Sequence, residues 1–352
     1  MERQHSQTPP FSIQLLGAGV DDATKTPHHG IDRLWAVFPA SYRTGTDDLV
    51  APSYDYMACI EKELDLRRLN KIFQWLWAVG RPMPSRPLHH QLLLGREIFI
   101  TEQMDMHLVW TQGRVYLKPI PRFLLEPLFW TEYLSCREGC KCFHHGGEIG
   151  SAEIARECPH RKLRKTALGF LYSYAALISH ESDFYIAKEK CLLPAEEKGL
   201  TWQGWRTFVE QLDTGHIYPH VNPRFIYGEL RLSRLDKIYL FTQRPFLAGY
   251  TRHWQEYKAF FQDNFTWLAS ATVYVAIVLT AMQVGLETKA LANNAAFHSA
   301  SYGFTVFSIL GPLAATVSIF IAFFYLFVNN LVVALAYEKK RFHHIKVNSG
   351  RP

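Results

Sequence analysis

Between Cys136 and His160 the chain gathers four cysteines and three histidines, as Cys136-x3-Cys140-x-Cys142-x-His144-His145 followed by Cys158-x-His160. Thiolate sulfur and imidazole nitrogen are the donors that a tetrahedral zinc ion takes, and four suffice. The expected ligands are Cys136, Cys140, Cys142, His144, Cys158 and His160, with Gly139, Gly146, Gly147 and Gly150 letting the loop wrap an ion. The spacing contains no CxxC pair, and C-x3-C-x-C matches no common zinc finger. The competing readings are a cofactor-free surface loop with reduced thiols, and thiol redox chemistry.

Three smaller sets invite the same question. His89-His90 and Asp105-x-His107 form a second polar group, and period two would put Asp105 and His107 on one face of a strand. A metal or an acid–base pair could use that face, although plain solvent-facing strand positions explain it better. His180, Glu181 and Asp183 close an apolar segment, where helix capping accounts for them. Asp213-Thr214-Gly215 matches the short string around a catalytic aspartate of subtilisin-like and pepsin-like proteases. A serine triad also needs a histidine and a serine in their own contexts, and no HGTH-like or GTSMA-like string is present. There is likewise no HExxH, no GxSxG and no glycine-rich phosphate loop. No catalytic residue is assigned on this basis.

The elements that must carry these residues divide into a polar front and an apolar rear. The chain has 352 residues, a net charge of +6 and a mean hydropathy of −0.09. The basic residues are scattered rather than striped among aromatics, which excludes a nucleic-acid footprint. MERQHSQTPPFSIQ shows no charged segment leading into an apolar one, so no signal peptide is expected. Six cysteines without such a leader point to a reducing compartment.

Asn264–Leu286 holds no ionisable side chain except Tyr274, and Phe304–Tyr337 has no Asp, Glu, Lys, Arg or His. About 20 apolar residues in a helix cross a hydrocarbon core about 30 Å thick. Two transmembrane spans and a lipid bilayer as partner are therefore expected. The intervening loop carries only Lys289, whereas the tail holds Lys339, Lys340, Arg341, Lys346 and Arg351. The positive-inside rule then sets both termini in the cytosol. Thr272, Ala276, Thr280 and Gln283 form a small polar stripe on the first span, suited to helix packing and a homo-oligomer.

The expected fold is α+β, mostly α, with a small antiparallel sheet and a C-terminal two-helix hairpin. Residues 1–50 read as irregular, 51–249 as a cytosolic domain and 250–286 as a long helix entering the first span at about 265. Then follow a loop over 287–303, a second span over 304–337 and a basic tail over 338–352. Within the domain, periodicity predicts a helix over 53–79 and an extended proline-rich linker over 81–87. Strands are expected at 98–101, 107–111 and 115–118, with Gln112-Gly113 as a hairpin turn. Helices follow at 123–134 (broken near Pro127), 162–191, 202–212 and 225–241. The uncharged stretch 166–179 is too short to span a membrane and reads as a buried core helix. Gly311-Pro312 is expected to kink the second span. Glu63–Phe73 (ELDLRRLNKIF) and Glu229–Tyr239 (ELRLSRLDKIY) agree at seven of eleven positions. They read either as a duplicated helical unit or as chance convergence.

LRRLNKIFQWLW, PLHHQLLLGREIFITEQMDMHLVW, FIYGELRLSRLDKIY and NFTWLASATVYVAIVLTAMQVGL carry a resemblance to an uncharacterised family of fungal membrane proteins. It covers the chain from about residue 54 onward and implies no activity; members are sometimes labelled subtilisin-like, without support from the motifs here. The architecture also resembles that of CorA-type magnesium channels. Their Gly-Met-Asn signature is missing, since that position reads Ala281-Met282-Gln283-Val284-Gly285. The functional expectation is a non-enzymatic, membrane-anchored interaction or sensing domain with an unidentified protein partner. A CorA-like channel or transporter is the alternative, and a membrane-bound enzyme comes third.

Overall fold

The computed structural model describes residues 8–16, 37–136, 158–194, 200–242 and 257–345. The chain is mostly helical with two small sheets, and it divides into two compact units, 1–242 and 243–352.

In the first unit a two-residue ribbon, β1 (Tyr42–Arg43) and β2 (Leu49–Val50), precedes α1 (Tyr56–Glu63). Asp55 caps α1 by accepting the Ala58 N–H. The single helix expected over 53–79 is broken into α1, α2 (Arg67–Asn70), a 3-10 turn at Phe73–Trp75 and α3 (Leu76–Val79). Leu64 and Leu66 are both buried. Residues two apart point to nearly opposite sides of an α-helix, so both reach the core only if the helix opens between them. Asp65 stabilises the restart by accepting the Arg67 N–H.

After α4 (Leu88–Leu93) comes a four-stranded sheet of β3 (Glu97–Ile100), β4 (Val109–Thr111), β5 (Arg114–Leu117) and β6 (Leu230–Arg231), in the order β3-β5-β4-β6. The Gln112-Gly113 hairpin pairs β4 and β5 antiparallel, with Gly113 at φ +74 where a side chain would strain. The flanking pairs, β3 with β5 and β4 with β6, are parallel. The sheet is thus mixed, because β3 pairs with the second strand of the hairpin rather than the first, and β6 arrives from far along the chain.

A 3-10 turn at Arg122–Leu125 leads into α5 (Pro127–Glu132), whose Trp130 is fully buried and donates to the Leu124 carbonyl. The helix expected over 162–191 is two helices, α6 (Pro159–Leu177) and α7 (Glu181–Glu189), separated at Ile178–His180. The uncharged part of α6 is buried, as a core helix requires. Gly169 in α6 leaves room for the Phe225 ring, which would stand 2.2 Å from an added Cβ. Next come α8 (Trp202–Gln211) and, after a 3-10 turn at Pro223–Ile226 and β6, α9 (Leu232–Thr242). The helix expected over 225–241 therefore begins only at Leu232, because Leu230 and Arg231 are drawn into the sheet beside β4.

The proline-rich linker is held by β6's approach. Gly228 donates its N–H to the Met83 carbonyl at 2.8 Å, and Gly80 bridges to Leu230. A Cβ on Gly228 would stand 2.5 Å from Met83 O, 2.6 Å from Ser85 N and 2.7 Å from Pro84 C, all backbone atoms. Gly228→Ala is expected to lower unfolding stability by about 3 kcal/mol, since backbone cannot rotate aside as a side chain can. Gly45→Ala, which meets nothing within 4 Å, should change it by less than about 0.5 kcal/mol. Urea titration of the two variants checks the difference.

The second unit is a hairpin of α10 (Tyr257–Glu287) and α11 (Ala295–Ile345). Segments Asn264–Glu287 and Ala295–Ile345 are long and apolar enough to cross a membrane, and their most apolar windows are unburied. The helices run antiparallel: Phe265 stacks edge-on against Phe320, and Gly285 lets the Phe297 ring come within 2.8 Å of where its Cβ would be. The loop expected over 287–303 shortens to 288–294, with Asn294 capping α11 through the Ala296 and Phe297 N–H groups. Helix α11 continues through Pro312 and into the basic EKKRFHHI segment. The polar stripe does not face α11: Thr272, Ala276, Thr280 and Gln283 are exposed, and both threonine hydroxyls bond back to carbonyls of their own helix.

Candidate functional site

Lys118 follows directly on β5 and is fully buried, yet carries a charged amine. That is tolerable only with close partners. Its Nζ donates to Glu63 Oε2 at 2.6 Å, Glu102 O at 2.7 Å and Glu102 Oε2 at 3.1 Å. Glu63 comes from the end of α1 and Glu102 from the turn after β3. Beside them Arg68 of α2 donates to Asp105 at 3.0 Å. Glu63, Glu102, Arg68 and Asp105, though not Lys118 itself, help to wall an open cavity of about 810 Å³, within the range of small-molecule sites. Its lining carries Arg43, Lys62, Arg68 and Arg122 against Asp47, Glu63, Asp65, Glu102 and Asp105, with Phe38, Tyr42, Ile120 and Phe123 as apolar surface. Burial raises the Asp65 carboxyl, but the hydrogen bonds and charge of Arg67 outweigh it and leave it below its usual range. A cavity with both signs of charge suits a polar ligand that is itself zwitterionic or carries donors and acceptors.

Asp105 and His107 do not share a strand face. Met104–Met106 is a 3-10 turn, Leu108 adopts φ +61, and β4 begins only at Val109. Asp105 turns to Arg68 and the cavity, while His107 turns into the core. There the Lys118 N–H donates to His107 Nδ1 at 3.1 Å, so Nε2 carries the proton and donates to Ser173 Oγ at 2.9 Å. Ser173 in turn donates to the Phe170 carbonyl. The histidine is thus a donor to the serine, the wrong direction for activating a nucleophile. Burial, then the charges of Arg224 and Lys118, push the His107 pKa well below the usual imidazole value and keep the ring neutral. Arg224, also buried, donates to the His107 and Tyr227 carbonyls and ties β6's approach to this layer.

Asp213, exposed after α8, accepts from the His216 backbone N–H at 3.3 Å and bonds its ring at 3.2 Å. The bond to His216 holds its carboxyl below the usual range. This is a turn closure beside a second cavity of about 300 Å³, bordered by Thr8–Pro10, Arg161, Arg164 and Lys165. The Asp-Thr-Gly string therefore sits in a solvent-exposed loop, apart from any strand pair.

The two remaining histidine sets come together. His89 of α4 and His180, the N-cap of α7, both turn to Asp183, which is completely buried. Asp183 Oδ1 accepts the His89 N–H and faces His89 Nδ1, each at 2.8 Å. Oδ2 accepts the His180 N–H at 3.0 Å and lies 3.5 Å from His180 Nδ1. Capping of α7 by Asp183 agrees with the sequence expectation; the recruitment of His89, far away in the chain, has no local sequence signal.

Residues 56–312 match the model of a family of unknown function, DUF6601. The chain belongs to this family. The match takes in the cavity wall from Lys62 onward (Phe38, Tyr42, Arg43 and Asp47 precede it), the buried histidine layer, α10 and the first part of α11. No curated protein and no solved structure matches the chain.

In this DUF6601 member the ends of the cysteine loop meet. Cys136 Sγ and Cys158 Sγ lie 3.5 Å apart, close to the separation of about 3.8 Å that two thiolates take on tetrahedral zinc. His160, on the first turn of α6, places Nδ1 2.9 Å from the Tyr133 carbonyl. Cys140, Cys142 and His144 lie outside the described residues. Of the other cysteines Cys59 is buried, and burial, aided by Glu63, pushes its thiol up to about 12.

Proposed function

We propose that this DUF6601 chain is a two-span membrane protein whose N-terminal unit works in the cytosol as a non-enzymatic binding or sensing domain for a small polar ligand. The observation that carries this reading is the cavity of about 810 Å³ walled by four cationic and five anionic side chains. Glu63, Glu102, Arg68 and Asp105 are preassembled around it, the two glutamates held from behind by the buried Lys118, so a ligand meets oriented charges rather than having to organise them. The anchor is supported by two unburied apolar helices, and the orientation by the Lys339-Lys340-Arg341 cluster against the lone Lys289. The bilayer is then the constitutive partner. Self-association through the exposed face of α10, and a protein partner on the cytosolic unit, belong to the same proposal.

The test compares residues 1–242 with the full chain in mild detergent. Residues 1–242 should be soluble and monomeric, melt cooperatively, and melt several degrees higher with at least one member of a panel of zwitterionic and dicarboxylate metabolites. The full chain should require detergent and carry no cation current in liposomes. Ring-shaped oligomers with cation flux would replace the proposal by a channel, and a cytosolic unit that no polar ligand stabilises would overturn the binding role.

A further inference from the structure

We infer that His89, His180 and Asp183 form a binding site for a zinc-class divalent cation, separate from the cavity and from the cysteine loop. Among the described residues these three bring one potential ligand atom each to within 4.8 Å of the others. Two imidazoles and one carboxylate are the donor set of catalytic-type zinc and other borderline transition-metal sites.

The distances already suit an ion. With metal–ligand bonds of about 2.1 Å, nitrogen–oxygen separations of 2.8 Å and 3.5 Å correspond to angles of about 84° and 113° at the metal. The two separations run to different oxygens, Oδ1 and Oδ2, so Asp183 would chelate the ion through both, and the angles bracket octahedral and tetrahedral values. The rings meet edge to face at 5.3 Å, which keeps both nitrogen atoms turned to the same carboxylate. Proton balance is also simple. A neutral ring that gives its Nδ1 lone pair to a metal keeps its single proton on Nε2, so binding to neutral rings requires a change of tautomer and releases no proton.

The surroundings fix the carboxylate and leave the imidazoles approachable. Asp183 has no exposed side-chain surface, while the side chains of His89 and His180 are 44% and 67% exposed. The His89 and His180 backbone N–H groups hold both carboxylate oxygens in place, and their remaining lone pairs face the rings. Helix α7 starts here, and its positive end opposes a cation; Asp183, with Glu181 beside it in the first turn, supplies the compensating negative charge. Three protein ligands on an exposed surface leave the rest of the coordination sphere to water or to a ligand of the metal.

The test uses the full chain in mild detergent with Cys136, Cys140, Cys142 and Cys158 replaced by serine, which removes thiolate zinc. This protein should retain about one equivalent of Zn²⁺ after gel filtration. X-ray absorption should show nitrogen and oxygen neighbours with imidazole scattering. His89→Gln and His180→Gln should each weaken Zn²⁺ by at least tenfold, whereas His90→Gln should not. Absence of bound zinc in the serine protein, an absorption spectrum without imidazole scattering, or His89→Gln and His180→Gln variants that bind as tightly as their parent would overturn the site. The spectrum is recorded on the parent protein, so the answer does not depend on the variants folding.

Discussion

Replacing Glu229 by alanine is expected to destabilise the N-terminal unit by about 3–5 kcal/mol, the usual cost of stranding a buried charge. Glu229, just ahead of β6, is held between two guanidinium groups. Arg86 Nε donates to Oε1 at 2.9 Å and its NH2 to Oε2 at 2.8 Å; Arg96 NH1 donates to Oε2 at 2.6 Å; Gln91 Nε2 donates to Oε1 at 2.8 Å. Arg96 is buried and lies 4.0 Å over the Trp110 ring, so it cannot swing into water once its partner is gone. Glu229→Gln keeps the shape and should cost less. Glu229→Leu combined with Arg96→Met should recover part of the loss, because an apolar pair removes the stranded charge. Urea midpoints of residues 1–242 read all three. The same carboxylate sets an acid limit. Burial raises its pKa, but the bonds from Arg86, Arg96 and Gln91 overcome this and lower it from 4.5 to about 2. Its folded-state pKa lies below the unfolded value, so the stabilisation is complete above about pH 4.5 and is lost as pH falls toward 2. A difference of that size is worth about 3 kcal/mol. The acid limb of the stability curve should flatten in Glu229→Ala.

This cluster shows what local sequence can and cannot announce. Its members lie at positions 86, 91, 96 and 229, and no spacing rule joins the first three to the last. The same holds for His89 and Asp183, and for Lys118 with Glu63. By contrast, α10, α11 and the core stretch of α6 were legible from the length of their uncharged runs, which burial and span thickness constrain directly. The β4–β5 hairpin was legible because Gln112-Gly113 supplies the positive φ that a two-residue turn needs. Misreadings arose where an apolar period masked a break. Leu64, Leu69 and Ile72 fit one helical stripe, and only tertiary packing shows that Leu66, off that stripe, is buried as well. At Asp105-x-His107 alternation suggested a strand, but a 3-10 turn sends one side chain to the cavity and the other to the core.

The repeated string explains why Lys118→Ala should have the second large effect. In both copies the leading glutamate meets a buried cation: Glu63 meets Lys118, and Glu229 meets Arg96. The leucines that follow, Leu64 and Leu69 in one copy and Leu230 and Leu235 in the other, are all buried. The copies even touch, with Arg68 lying 5.7 Å over the Tyr239 ring. Yet their backbones differ, since Leu64–Asn70 contains a helix end and a helical turn, whereas Leu230–Asp236 passes from strand into α9. What recurs is therefore a glutamate that neutralises a core cation ahead of two buried leucines, and a duplicated helical unit is not needed to explain it. Lys118→Ala removes the cation and its buried stem together, and should cost about 3 kcal/mol. Lys118→Met restores the stem and should recover part of that cost, because Glu102, whose side chain is 73% exposed, can relax into water. Glu102→Gln, for the same reason, should alter stability by less than about 0.5 kcal/mol. Ligand binding separates the two roles of this lysine. Lys118 lies behind the cavity wall and acts on it through Glu63 and Glu102, so if the cavity is the binding site, Lys118→Met should reduce the ligand-induced rise in melting temperature even though the unit still folds. A folded Lys118→Met protein that responds to the ligand as the parent does would mean that the preassembled charges serve stability alone, and that the ligand binds elsewhere.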